Sequence, residues 1–238
     1  MAKTGKGLII NSFSQIRGKA ILKPRICAVI TDKNIEAIRE VGPLVELFEV
    51  RIDLIGDDWQ EVARELSKPW VACNRTIPEG GNWQQSEARR QEGLLKAIQL
   101  GAGMVDIELS TENLKGLVSL IKKRAECLLS FHDFLKTPSL KSLKDTVKAQ
   151  LAAGADICKV VTTAQKFEDN LTILRLITEF PKTRMVAFAM GPLGLPSRIF
   201  CPLVGGDFSY AAIQRGKESA PGQITVNELK KLYQMASQ

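Results

Sequence analysis

Charged side chains fall in this sequence where a buried β-sheet needs apolar ones, and their types point to carbonyl chemistry. In L-F-E-V-R-I-D (47–53), Glu49, Arg51 and Asp53 recur at every second position. P-W-V-A-C-N-R-T (69–76) ends near Arg75, and M-V-D-I-E-L (104–109) carries Asp106 and Glu108. A strand covered on both faces should read as a continuous Val/Ile/Leu run. Alternate residues share a face, so Glu49 points with Arg51, and Asp106 with Glu108. An ion buried without a partner costs on the order of several kcal/mol. Either these charges neutralise one another as structural ion pairs inside the fold, or they line a site.

Lys159 is the sharpest case. It lies between Ile157, Cys158, Val160 and Val161, where desolvation and nearby arginine charge are expected to lower its pKa toward the neutral amine. A neutral amine attacks ketones and aldehydes. The alternative is a lysine that snorkels to the surface or pairs with a carboxylate. His132, the only histidine of the chain, stands in S-F-H-D-F (130–134) on the preceding strand candidate. Neighbouring strands run about 4.8 Å apart, so an acid/base group is expected beside the amine.

Two loops add polar groups. A-M-G-P-L-G-L-P-S-R (189–198) is a tight connection expected to deliver Arg198 to the site. G-K-E-S-A-P-G-Q (216–223) has glycines near both ends, as a mobile lid needs, and offers Ser219 and Gln223. A plain surface loop is the alternative. Gly205 and Gly206 could belong to a phosphate cradle.

The elements that must position these residues follow βα grammar. Eight strand candidates run over 25–30, 47–53, 69–76, 104–109, 127–134, 156–162, 184–190 and, more weakly, 207–211. Between them, helical spacing covers 86–100, 111–125, 139–153 and 168–180, with Ser or Thr caps at several starts. Strand starts fall 22 to 35 residues apart, the repeat of a (β/α)8 barrel. No linker divides the chain. The sequence predicts one α/β domain over 1–238, a (β/α)8 TIM barrel at 24–238 whose bottom is closed by an N-terminal β-hairpin at 1–23. An open doubly wound sheet is the fold alternative. In a barrel, the charges sit toward the C-terminal mouth, where such folds hold their active sites.

Composition narrows the class. With 45% hydrophobic and 25% charged residues, the chain is neither disordered nor fibrous. The uncharged stretch 185–197 is short and broken by proline and glycine, so no membrane span is expected. The N-terminus lacks the apolar run of a signal peptide, which predicts a cytoplasmic protein. Five scattered cysteines without a C-x-x-C pair argue against disulfides and a zinc site. The net charge of +7 suits an anionic partner, but no basic patch interleaved with aromatics points to nucleic acid.

Taken in order, E-V-R (49–51), R-T-I-P-E-G-G (75–81), D-I-E-L (106–109), S-F-H-D-F, C-K-V-V (158–161), A-M-G-P-L-G-L-P-S-R and S-A-P-G-Q (219–223) resemble type I 3-dehydroquinate dehydratase along essentially the whole chain. The resemblance implies a barrel, usually dimeric, that converts 3-dehydroquinate to 3-dehydroshikimate in the shikimate pathway without metal or dissociable cofactor. It implies Lys159 as the Schiff-base lysine, His132 as the acid/base group and Glu79 as the carboxylate orienting that histidine. Glu49, Arg51 and Arg75 resemble the cluster that holds the ring hydroxyls. Arg198, Ser219 and Gln223 resemble the substrate-carboxylate and lid contacts, with Asp106 and Glu108 as polar support. The resemblance covers one domain, so the shikimate dehydrogenase fused to some relatives is not expected in these residues. The rivals are another Schiff-base barrel of the aldolase or transaldolase kind, and a non-catalytic barrel that binds an anionic metabolite.

Overall fold

The structure, a computed structural model, describes residues 23–236. Eight strands form one sheet: β1 Ile26–Ile30, β2 Leu47–Arg51, β3 Trp70–Cys73, β4 Met104–Glu108, β5 Glu126–His132, β6 Ile157–Thr163, β7 Met185–Met190 and β8 Ser209–Ala212. All ladders are parallel, in the order β7-β6-β5-β4-β3-β2-β1-β8. Since β8 pairs with β1, the sheet curls into a barrel. Its seam lies between β7 and β8, where the Asp207 amide donates to the Met185 carbonyl at 2.7 Å. This is the predicted fold. The N-terminal hairpin lies outside the described residues.

Helices α1 Ile35–Val41, α2 Ile52–Ile55, α3 Trp59–Glu65, α4 Glu87–Gln99, α5 Leu114–Ile121, α6 Leu140–Ala152, α7 Glu168–Glu179, α8 Leu195–Phe200 and α9 Val226–Ala236 complete the described chain. Ser86 and Ser139 cap α4 and α6, their hydroxyls accepting from the Arg89 and Ser142 amides as their sequence positions predict. The helix predicted over 111–125 is trimmed at both ends to α5. Its start is set by Asn113, whose positive φ of 52° breaks the preceding turn. Among the described residues, no helix is long and apolar enough to cross a membrane.

The period-two alternation divides each strand between two environments. Ile26, Ala28 and Ile30 of β1 face the helices, while Cys27 and Val29 face the barrel interior with Leu47, Val71, Leu128, Ile157 and Val186. That interior layer is apolar and fills the lower barrel. Two residues further along the same faces stand Glu49, Cys73, Asp106, Ser130 and Lys159, all buried. The apolar floor fixes the strands, and the polar layer above it opens toward their C-terminal ends.

Two strand ends differ from expectation. β2 stops at Arg51 because α2 starts immediately, so Asp53 is helical rather than a third strand residue. β3 stops at Cys73, leaving Arg75 in the connection. Both residues are nevertheless buried, Asp53 at 7% and Arg75 at 3% exposure.

Candidate active site

A cavity opens at the C-terminal mouth, and Lys159 lies on its wall. Its Nζ is 2.8 Å from Asp106 Oδ2 and 3.6 Å from Glu49 Oε1, and it sits 4.4 Å from the ring centroid of Tyr210. These contacts correct the expectation of a neutral amine. Burial does oppose the ammonium, but Asp106 and Glu49 outweigh burial and Arg75 together, and the pKa is raised above that of an ordinary lysine. In this state Lys159 is a paired cation. Asp106, fully buried yet facing both Arg75 and Lys159, is held far below the usual carboxylate range.

His132 and Lys159 occupy adjacent strands, with Ser130 opposite Lys159 and His132 opposite Val161. The imidazole Nδ1 lies 2.7 Å from Glu79 Oε2. A carboxylate only accepts, which assigns the proton to Nδ1 and leaves Nε2 as a base. Burial, reinforced by Arg75 and Lys159, pushes the imidazole well below its ordinary pKa, so it is neutral. Glu79 ends the 3-10 turn Ile77–Glu79 and also accepts from Ser110 Oγ at 3.2 Å. The glycines after it are structural. A Cβ on Gly81 would lie 2.0 Å from the Arg75 carbonyl oxygen, so only glycine lets this turn fold back against its own start.

The arginines are held in place by carboxylates. Asp53 chelates Arg51, accepting from Nε at 2.9 Å and Nη2 at 2.7 Å, and also accepts from the Asn82 amide. Glu49 points into the same cavity as Arg51, as predicted, and there approaches Lys159 rather than pairing with the arginine. Arg75 reaches Asp106 at 2.6 Å and Glu108 at 3.0 Å, and donates to Ser130 Oγ at 2.6 Å. Ser130 passes a bond on to Asp106 Oδ1 at 2.7 Å. Glu49, Arg51, Arg75, Glu79, His132 and Lys159 therefore share one cavity wall.

Arg198 comes from the opposite side. It is carried by α8 rather than by a loop, after a connection so tight that a Cβ on Gly194 would lie 2.4 Å from the Ala189 carbonyl oxygen. The guanidinium packs 4.1 Å over Phe188 and reaches the Tyr210 carbonyl at 3.5 Å, while Nε and Nη2 have no hydrogen-bond partner. Burial pushes its pKa down to about 10, which still leaves it charged at neutral pH. Ser219 and Gln223 line the same cavity. The segment 216–223 is seated over the mouth rather than open: the Gly191 amide donates to the Pro221 carbonyl at 3.1 Å, and Gln223 Oε1 accepts from the Ser219 amide at 2.8 Å.

Other groups were missed from the sequence. Ser130 was within reach, two residues before His132 on the same strand face. Cys73, Phe134, Phe188, Met190 and Tyr210 also line the cavity, with no chemistry-bearing signal to single them out. Gln150 of α6 donates to the Leu129 and Lys159 carbonyls at 2.9 Å each, tying β5 to β6 beneath the lysine. Glu49, Cys73 and Asp106 bring ligand atoms within 4.8 Å of one another, but the cation these carboxylates hold is the Lys159 ammonium. Gly205 and Gly206 form no phosphate cradle at the mouth. They precede β8 at the opposite end, where a Cβ on Gly206 would lie 2.7 Å from the Cys201 carbonyl oxygen.

The family model for type I 3-dehydroquinase matches residues 26–238. The chain belongs to that family. It is 43% identical over 210 residues to the 3-dehydroquinate dehydratase of Dehalococcoides mccartyi strain BAV1, covering 88% of this chain and 95% of that protein. To the Methanosarcina barkeri enzyme of the same name it is 33% identical over 229 residues, covering 90% and 95%. The solved 3-dehydroquinate dehydratase of Geobacillus kaustophilus superposes with a TM-score of 0.80 at 24% identity, covering 91% of this chain and 92% of that one, which supports the barrel. As a type I 3-dehydroquinase, the chain is a carbon–oxygen lyase.

Proposed function

We propose that the chain dehydrates 3-dehydroquinate to 3-dehydroshikimate through a covalent imine on Lys159, with His132 moving the protons. The observation that carries this reading is the convergence of three unlike groups on one cavity: a buried lysine, a neutral histidine oriented by Glu79, and a buried guanidinium with no anionic partner. A hydroxyl β to a ketone leaves once the carbon between them has lost a proton, and an iminium draws those electrons far better than a neutral carbonyl.

Each residue takes a step. The ammonium of Lys159 must first lose its proton, and His132 Nε2 is the neutral base on the same wall. The amine then forms the C–N bond while the carbonyl oxygen departs as water. His132 next takes the proton between the iminium carbon and the hydroxyl-bearing carbon, and returns it to the departing hydroxyl, releasing a second water. Hydrolysis of the conjugated iminium frees the enone and regenerates the lysine. Arg198 receives the substrate carboxylate, with Ser219 and Gln223 closing over it. Arg51, Arg75 and Glu49 face the ring hydroxyls. Arg198 thereby fixes which hydroxyl meets the histidine.

The test is turnover of 3-dehydroquinate followed by the absorbance of the conjugated product, combined with borohydride reduction and peptide mapping. An adduct on the peptide carrying Lys159 is expected. An adduct on another lysine overturns the mechanism, and absence of enone formation overturns the function.

A further inference from the structure

Behind the cavity wall, α4 supplies a buried charge that touches neither the cavity nor any residue expected to meet substrate. Arg90 is 1% exposed, although α4 packs outside the barrel. Its Nη1 donates to Glu108 Oε2 at 2.7 Å and to the Asn74 carbonyl at 3.0 Å. Nε and Nη2 grip Glu87 at 2.7 and 2.9 Å, and Nη2 also donates to Thr111 Oγ1 at 3.1 Å. All three guanidinium nitrogens are used, which is unusual investment for a surface helix.

The contacts continue inward as a chain of alternating charge. Glu108, held by Arg90 through Oε2, meets Arg75 through Oε1 at 3.0 Å. Arg75 meets Asp106 at 2.6 Å, and the same Asp106 oxygen meets Lys159 at 2.8 Å. Among the described residues, the buried Arg51, Arg75, Arg90 and Lys159 alternate with the buried Glu49, Asp53, Asp106 and Glu108, and the partly exposed Glu87 closes the outer end of the chain on Arg90.

We propose that Arg90 is a positioning residue for the reaction: by holding Glu108 it decides how Arg75 divides between Glu108 and Asp106, and so how firmly Asp106 holds the Lys159 ammonium. This rests on the reading of Lys159 as the imine-forming lysine. With Arg90 in place, Glu108 is satisfied from behind and Arg75 is free to spend charge on Asp106. Without it, Glu108 competes for Arg75, Asp106 turns to the lysine, and the ammonium gives up its proton less readily. Removing Glu108 acts in the opposite sense, since Arg75 is left with Asp106 as its carboxylate partner and one negative charge is gone from behind the lysine, while Arg90 stays paired with Glu87. The other charged or titratable groups facing Lys159 are Cys27 from β1, Glu49 from β2, Cys73 from β3, His132 from β5 and, through its ring, Tyr210 from β8. None of them contacts Arg90, so they are common to every variant.

The experiment measures the rate of borohydride-trappable imine formation against pH for the parent, Arg90→Gln, Arg90→Lys and Glu108→Gln. Arg90→Gln is expected to raise the apparent pKa governing imine formation by about one pH unit, which makes trapping at neutral pH about tenfold slower. KM should change little and kcat should fall with the trapping rate. Arg90→Lys keeps the charge and should track the parent in pH, while Glu108→Gln should shift the apparent pKa downward. A strut without electrostatic influence would shift neither variant, or both the same way, and that result overturns the proposal. So does an Arg90→Lys profile that coincides with Arg90→Gln. If Arg90→Gln does not fold, the sign of the Glu108→Gln shift decides alone, a shift that is upward or absent being the refutation. Failure to trap Lys159 in the parent would instead sink the imine reading, a separate outcome.

Discussion

The two sides of the barrel mouth treat positive charge in opposite ways. On the β2–β6 side, every buried cation among the described residues ends on a carboxylate: Arg51 on Asp53, Arg75 on Asp106 and Glu108, Arg90 on Glu87 and Glu108, Lys159 on Asp106. On the β7–β8 side, Arg198 ends on none, lying instead across Phe188 with two nitrogens unpartnered. Paired charges cancel, so their value lies in holding groups still and setting protonation states. An unpaired buried cation costs free energy in the free protein, and recovers it when an anion arrives. One side is therefore built for chemistry and the other for recognition. The division follows the seam, since the connection between β7 and β8 carries α8, which brings Arg198 to the mouth from outside the strands.

The sharpest break in that division comes from Lys159. Lys159→Met is expected to abolish turnover while leaving ligand binding in place, because Arg198 is untouched; calorimetric titration with 3-dehydroshikimate checks it. The variant should also lose about 3–5 kcal/mol of stability, since Asp106 and Glu49 are left with a buried charge deficit. Loss of binding together with turnover would mean that the two sides are not separable.

Next in size is His132→Ala, which should lower kcat by about 100- to 10,000-fold with little change in KM, as removal of a positioned acid/base group does. A KM effect of comparable size would move His132 to the recognition side.

Arg198→Met probes the other half. Losing charge-assisted bonds worth roughly 1.5–3 kcal/mol should raise KM about 10- to 100-fold and lower kcat far less. Its distinguishing outcome is thermal. Arg75→Met should lower Tm because Asp106 and Glu108 each lose one of their two cations and the buried network is left with excess negative charge, whereas Arg198→Met removes an uncompensated ion and should leave Tm unchanged or higher. Equal losses of stability in the two variants would erase the contrast between paired and unpaired cations.

Much of this was legible in the sequence, and the failures share a cause. Period-two alternation announced that Glu49, Asp106 and Lys159 face inward, because strand geometry makes face a local property. Pairing across strands is not local. The Lys159 environment was expected to favour the neutral amine because the apolar neighbours at 157–161 are contiguous in sequence, while Asp106 and Glu49 arrive from two other strands. Period two runs on through Asp53, since nothing in I-D-L-I signals the immediate turn into α2, yet its partner Arg51 is only two residues away. Arg90 was invisible for the converse reason. It sits in a helix among other charged residues, Glu87, Arg89, Glu92 and Lys96, and only the fold shows that this one points inward to Glu108 rather than to water. Arg198 was found because Gly and Pro mark a tight connection, a signal that local sterics write directly into residue choice.

The smallest expected effect concerns the link that tunes the base. Glu79 accepts from His132 Nδ1 and favours the charged imidazole, against the burial and the cations that oppose it. Glu79→Gln keeps a side-chain oxygen in reach but removes the charge. The imidazolium then loses its counter-ion, so an imidazole already depressed should titrate lower still. Two consequences follow with definite signs. The acid limb of kcat/KM, where His132 becomes protonated and stops acting as a base, should move to lower pH. The plateau should fall about tenfold, because a weaker base takes the substrate proton less readily, a loss smaller than that of His132→Ala. Burial also raises the Glu79 pKa, with Ser110 as its second partner, so Ser110→Ala should push the limb in the same direction by less. An acid limb that stays in place while the plateau falls would show that Glu79 only orients the ring, and would leave Arg75 and Lys159 as the charges that set the protonation of His132.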